Sequence, residues 1–154
     1  MLETPHVLVG AAIASRITNP LLSIPISFMS HFILEKVPHW NPHLNTETEK
    51  YGKPTKKSTI IAGLDVITSL IIGSFIAYKA YPNTMQSINI LACCLMSSLP
   101  DIVEGPYFFL GMRNKIMKKW IEWQKSIQVD TTFIPGVTTQ LATIFASLYW
   151  IFYK

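Results

Sequence analysis

From Ser58 to Tyr78 the chain is apolar except for Asp65 and a few small hydroxylated residues, and this stretch fixes the surroundings the fold must suit. At about 1.5 Å per residue, a helix of that length crosses a hydrocarbon core of roughly 30 Å. Two further stretches share its character, Met85 to Leu99 (extending toward Glu104) and Phe133 to Tyr153. Val7 to Val37 is also apolar but is interrupted by Asn19-Pro20 and Pro25. Only 14% of the 154 residues are charged, against roughly 25% in an average soluble domain. This disfavours the competing reading, a soluble all-α domain with buried helices. The expectation is a single all-α integral membrane domain, 1–154, built as a bundle of about five transmembrane or re-entrant helices. These helices should cover about 5–17, 20–37, 58–80, 85–104 and 133–153, with an interfacial amphipathic helix over about 113–127.

The start, Met1 to His6, lacks a basic leader, so no cleavable signal peptide is expected. Thr4-Pro5 reads as a helix start, with threonine as the cap. The first two helices are short, and the turn at Thr18-Asn19 makes them a hairpin that returns the chain to its starting side. Five lysines between Lys36 and Lys57, and five basic residues between Arg113 and Lys125, place ten of the thirteen Lys and Arg in connections on one face. By the positive-inside rule that face is cytoplasmic. Adjacent Cys93 and Cys94 suit small buried apolar roles better than a disulfide or redox role.

The same counting brings seven potential metal ligands to that face: His6, His31, Glu35, His39, Asp65, Asp101 and Glu104. An ionisable side chain within a membrane span is costly and points to function. Ser23, Ser27, His31 and Glu35 recur every four residues along one face of helix two. Asp65, Ser69 and Gly73 do so on helix three, Asn89, Cys93, Ser97 and Asp101 on helix four, and Thr139, Thr143 and Ser147 on the last helix. Small and polar stripes ordinarily mark helix contacts in membranes. Packing alone does not explain why three of the stripes carry carboxylates or a histidine toward the basic side.

Chemically, His31-x3-Glu35-x3-His39 mixes imidazole nitrogen with carboxylate oxygen, the donor set of zinc, with manganese or iron as alternatives. Seven ligands exceed the needs of one tetrahedral ion. Two ions sharing a bridging carboxylate would suit phosphoester hydrolysis. Within that scheme Glu35 and Asp65 are the catalytic candidates, Glu35 as ligand or general base. His43, beside Trp40 in a proline-rich loop, reads as a solvated interfacial residue.

Three segments resemble the inner-membrane-associated metal-dependent hydrolases, a family distantly similar to zinc-dependent phospholipase C. They are Thr4-Pro5-His6-Val7-Leu8-Val9-Gly10, Ser30-His31-Phe32-Ile33-Leu34-Glu35 continuing to Trp40, and Leu99-Pro100-Asp101-Ile102-Val103-Glu104. The second departs from that family's Ser-His-x3-Asp in having glutamate, and the third displaces its second acid to Glu104. A His-Arg-Gly-x-Thr-His-Ser segment is lacking. The resemblance implies a bacterial or archaeal cytoplasmic membrane protein that holds one or two divalent ions, zinc foremost.

The expected function is therefore metal-dependent hydrolysis of a phosphoester in a lipid or other amphiphile, reached from the cytoplasmic interface. Membrane lipid and a divalent metal ion are the expected partners. Ile116, Met117, Trp120, Ile121 and Ile127 alternate with Lys115, Lys118, Lys119 and Lys125, a pattern suited to anionic headgroups. Nucleic acid is not expected, because no binding motif accompanies the basic charge. Five spans wall the site incompletely, which leaves a homodimer as a way to complete it. The alternatives are a metal-ion or proton transporter and a structural protein in which metal only ties helices together.

Overall fold

In the computed structural model, residues 1–153 are described, and among them seven α-helices and no strand are formed. They are α1 (Glu3–Arg16), α2 (Pro20–Glu35), α3 (Leu44–Tyr51), α4 (Lys56–Lys79), α5 (Thr84–Phe109), α6 (Lys115–Ile127) and α7 (Phe133–Phe152). Asn19, Thr55, Asn83 and Asn114 cap α2, α4, α5 and α6, each accepting a backbone N–H of the first turn on its side-chain oxygen. Helix α1 is different. Its N-cap position is Leu2, and Thr4 lies inside the first turn. The acceptor for its free N–H groups comes from another helix, the carboxylate of Asp65 on α4.

Sequence reasoning leaves 41–57 as a loop, but residues 44–51 form α3, which Gly52 ends in the left-handed conformation (φ 77°). Its Glu47 explains the order. The carboxylate accepts the Thr55 N–H at 2.7 Å and the Ser58 hydroxyl at 2.8 Å, tying α3 to the start of α4.

Helix α1 is the centre of the bundle. It packs against α5, α7, α2 and α4, burying Val7, Leu8, Ala11 and Ala14 against Ile76, Ala77, Ile90, Cys93 and Cys94. Small residues permit this enclosure. A Cβ at Gly10 would lie 2.5 Å from the Cys93 carbonyl oxygen, so the two backbones meet there. Gly136 of α7 meets the backbone of Trp40 in the same way, with a Cβ position 2.4 Å from its nitrogen. The shortness of the first helix thus reflects a central position beside the α2 turn.

Polarity runs inside out. Ser23, Ser27, Asn89, Cys93 and Ser97 are buried, while Leu21, Ile71, Phe145 and many like them face outward. Helices α4 and α5 are long and apolar enough to cross a membrane. The stripes expected on α2, α4 and α5 are the inner faces. On α7 the buried residues are Gly136, Gln140 and Ser147, so Thr139 and Thr143 flank the contact face. In α6, Ile121 and Gln124 turn inward while Lys118 and Glu122 remain exposed as an ion pair at 3.8 Å.

Candidate metal centre

The end of α2, the chain beyond it, the start of α1 and the proline-containing turn of α5 converge at one end of the bundle. His6 lies one turn into α1, placed by the Asp65 cap. His31 and Glu35 lie one turn apart on α2. Asp101 follows Pro100 on α5. Facing donor atoms of His6, His31, Glu35 and Asp101 all lie within 4.8 Å of one another. His6 Nε2 is 3.2 Å from Glu35 Oε1 and 3.8 Å from Asp101 Oδ2, and His31 Nε2 is 3.7 Å from Asp101 Oδ1. The two imidazole rings stack with centroids 4.2 Å apart. Both histidines are fully buried and Glu35 is 1% exposed.

These four residues could hold a metal ion. A tetrahedral zinc with bonds of about 2.0–2.2 Å spaces its donors about 3.3–3.6 Å apart, close to the separations found. The tautomers also fit. His31 Nδ1 donates to the Ser97 carbonyl oxygen at 2.9 Å, while Nε2 accepts from the Gln124 amide at 3.3 Å. Its Nε2 lone pair therefore faces inward, the arrangement metal-binding histidines use when a carbonyl holds the other nitrogen. Asp101 and Glu35 are carboxylates in a poorly solvated space and require positive charge nearby. In this structure Glu35 Oε1 pairs with the Met1 amine, and Asp101 Oδ1 accepts from the Gln124 amide.

His39 joins the group from the far side of Glu35, its Nε2 3.6 Å from Oε2. Backbone pairing brings it back: the His39 N–H donates to Val129 O at 3.1 Å, and Thr131 N–H to His39 O at 3.0 Å. Its Nδ1 donates to Val37 O at 2.7 Å, and its Nε2 accepts from the Gln128 amide at 3.1 Å. Burial, followed by the Met1 ammonium, pushes this imidazole below its ordinary value.

Asp65 lies outside the four-residue group and meets the first turn of α1. Its carboxylate accepts the Glu3 N–H at 2.5 Å and the Thr4 hydroxyl at 2.6 Å. Its negative charge thus sits at the helix N-terminus, where the unpaired N–H groups of α1 stabilise it. Glu104 lies beside the group without joining it, and its Oε1 is buried without a partner. His43 is exposed and packs edge-on against Trp40, as an interfacial residue would. Cys93 and Cys94 are buried free thiols.

Glu35, Asp65, Asp101 and Glu104 all line one cavity of about 420 Å³, together with Glu3. Glu3 was not among the expected ligands, although its Oε2 is also buried and unpartnered. Gln124, Gln128 and Gln140 were missed as well. Gln140 receives the Leu2 N–H at 3.0 Å and donates to the Trp40 carbonyl at 2.9 Å, clamping both chain segments that border the site. A neutral glutamine carries no ligand signature. The available clue was the isolated polar position at Gln124, beside Ile121 on an otherwise apolar inner face.

Compared with protein-family models, with curated proteins and with solved structures, the chain matches none.

Proposed function

We propose that the protein is a membrane-embedded, metal-dependent hydrolase acting on a phosphoester of a lipid or other amphiphile at the cytoplasmic interface. The observation that carries the reading is the convergence of two imidazoles and two carboxylates, within 4.8 Å, from three separate helices. It agrees with the likeness of these same segments to the inner-membrane-associated metal-dependent hydrolases. In this reading the five longer apolar helices form the membrane bundle, and α6 lies at the headgroup layer.

His6, His31, Asp101 and Glu35 would hold the ion, with zinc favoured by the donor set. A bound divalent ion supplies Lewis-acid polarisation of a phosphoryl oxygen and activation of water. Glu35 presents one oxygen toward His6 and the other toward His39, so the same carboxylate would be available to hold a second ion as well as the first. Glu104 and His39 would serve the second position. Asp65 positions His6 by fixing the first turn of α1.

Two observations favour this over the alternatives. The cavity against Glu35 and Asp101 gives the ion an open side, which a purely structural site lacks. Below the site, the polar stripe is closed by internal bonds, Ser23 to Asn89 at 2.7 Å and Asn89 to the Ile17 carbonyl at 3.2 Å. These bonds fit helix packing better than an ion path.

The test is elemental analysis of protein purified in mild detergent, beside His31→Ala, followed by a screen of phosphoester lipids in vesicles. Near-stoichiometric metal and turnover, both lost in the variant, are expected. Absence of metal after reconstitution with excess zinc, manganese or iron would overturn the assignment.

A further inference from the structure

The acid-lined cavity does not end at the acids. A second cavity of about 150 Å³ adjoins it along the seam between α4 and α5, and the two share Glu3, Val66 and Ile102 as lining. Their chemistry differs sharply. The first gathers six carboxylates, whereas beyond Glu3 the second is walled by Val7, Leu70, Leu91, Cys94 and Leu95 with three serines. Two of those serines present little polarity, because Ser69 donates to the Val66 carbonyl at 2.8 Å and Ser98 to the Cys94 carbonyl at 3.3 Å. Gly73 keeps the floor low.

The rim of the seam is the outer surface of the bundle. Leu70, Leu91 and Leu95 line the cleft and are 63%, 47% and 54% exposed. The walls are the two helices long and apolar enough to cross a membrane. The cleft therefore opens sideways, through an apolar rim, onto whatever surrounds α4 and α5.

We propose that this cleft binds one hydrocarbon chain of a phospholipid, entering laterally between α4 and α5, while its phosphate headgroup occupies the cavity beside Glu35 and Asp101. The inference rests on the hydrolase reading for the headgroup end and narrows its substrate to a membrane-resident phospholipid. An acid-bordered cavity at the candidate metal centre and an apolar cleft beside it, sharing Glu3, Val66 and Ile102, suit the two halves of such a molecule. Six acids line the cavity against one lysine, Lys125, and the Met1 amine, so headgroup binding requires a further cation at His6, His31, Glu35 and Asp101.

The experiment uses the full chain, loaded with zinc, in phosphatidylcholine vesicles containing a phosphatidic acid with a diazirine near the end of one chain. Photolysis is followed by peptide mapping, and metal content is measured on the same samples. Labelling at Leu70, Leu91 and Leu95 should saturate as the probe's share of lipid rises. Leu95→Trp, at the exposed rim, should weaken that labelling about tenfold, equivalent to roughly 1.4 kcal/mol. Leu141→Trp, on the outer face of α7, should leave it unchanged. Ser74→Phe fills the cleft from α4 and should repeat the effect of Leu95→Trp.

Labelling that rises without saturation and is spread evenly over α2, α4 and α7 would overturn the proposal, as ordinary lipid contact behaves that way. Crosslinks between two copies at the seam, with the probe excluded, would overturn it too. Saturable labelling in protein that binds no metal would keep the chain site and remove the hydrolase reading. Metal binding without saturable labelling would do the reverse.

Discussion

Replacing Asp65 separates the work of a ligand from the work of a cap. Its carboxylate serves the Glu3 N–H, the Thr4 N–H and the Thr4 hydroxyl, and in Asp65→Ala all three lose their acceptor. Loss of a helix cap costs about 1 kcal/mol, and a hydrogen bond to a charged acceptor contributes about 1.5–3 kcal/mol. The two overlap in one carboxylate, so the expected loss of stability is about 3 kcal/mol. Asp65→Asn keeps one acceptor oxygen but turns an amide donor toward the Glu3 N–H, and should lose about half as much. Unfolding in mild detergent, followed by circular dichroism against added denaturing detergent, reads these differences. Zinc equivalents at saturation should remain those of the parent, because Asp65 contributes no atom to the four-residue group. Affinity should fall only as far as a looser α1 misplaces His6. If Asp65→Ala lost its metal as fully as His31→Ala while keeping the parent's stability, the capping argument would be refuted.

Further outcomes follow from the same geometry. Gly10→Ala sets a Cβ 2.5 Å from the Cys93 carbonyl, forcing α1 from α5, and should cost about 1–3 kcal/mol as overpacking does; unchanged thermal unfolding would contradict that close approach. Gln124→Leu removes the amide that the ion must displace from His31 Nε2 and Asp101. With about 1 kcal/mol for each of these two bonds, zinc affinity measured against a competing chelator should rise about thirtyfold. Burial alone would raise the Glu47 carboxyl, but the Thr55 N–H and the Ser58 and Thr55 hydroxyls outweigh it and hold it below its ordinary value. That depressed value means its stabilisation is complete above the ordinary carboxylate range and is lost as pH falls through the folded value. Hydrogen exchange at 44–58 should accelerate on acidification, and Glu47→Gln should abolish that pH dependence.

Much of the four-residue group was legible because two of its members lie at a short helical spacing. His31 and Glu35, four apart, need only a helix to share a face, and Asp101 stands out as an acid in an apolar run. His39 required a bend, which the pairing with 129–131 fixes. The capping of α1 by Asp65 was not legible, because its partner is the first turn of α1, a relation created only by packing α4 against it. Glu3 and the glutamines escaped for a related reason: their significance lies in what they face. Helix α3 was hidden by its polarity, since its order comes from the Glu47 clasp and leaves no apolar periodicity. The central place of α1 was also unreadable, because its Ala and Gly content suits a short hairpin equally well.

The enclosure of α1 bears on how the protein is made. Helix α1 finds its neighbours in α2, α4, α5 and α7, and the last of these begins at Phe133. Until α7 docks, one side of α1 stays uncovered, and closing it joins segments more than a hundred residues apart. A chain halted before α7 would leave that side open, a ready target for quality-control proteases.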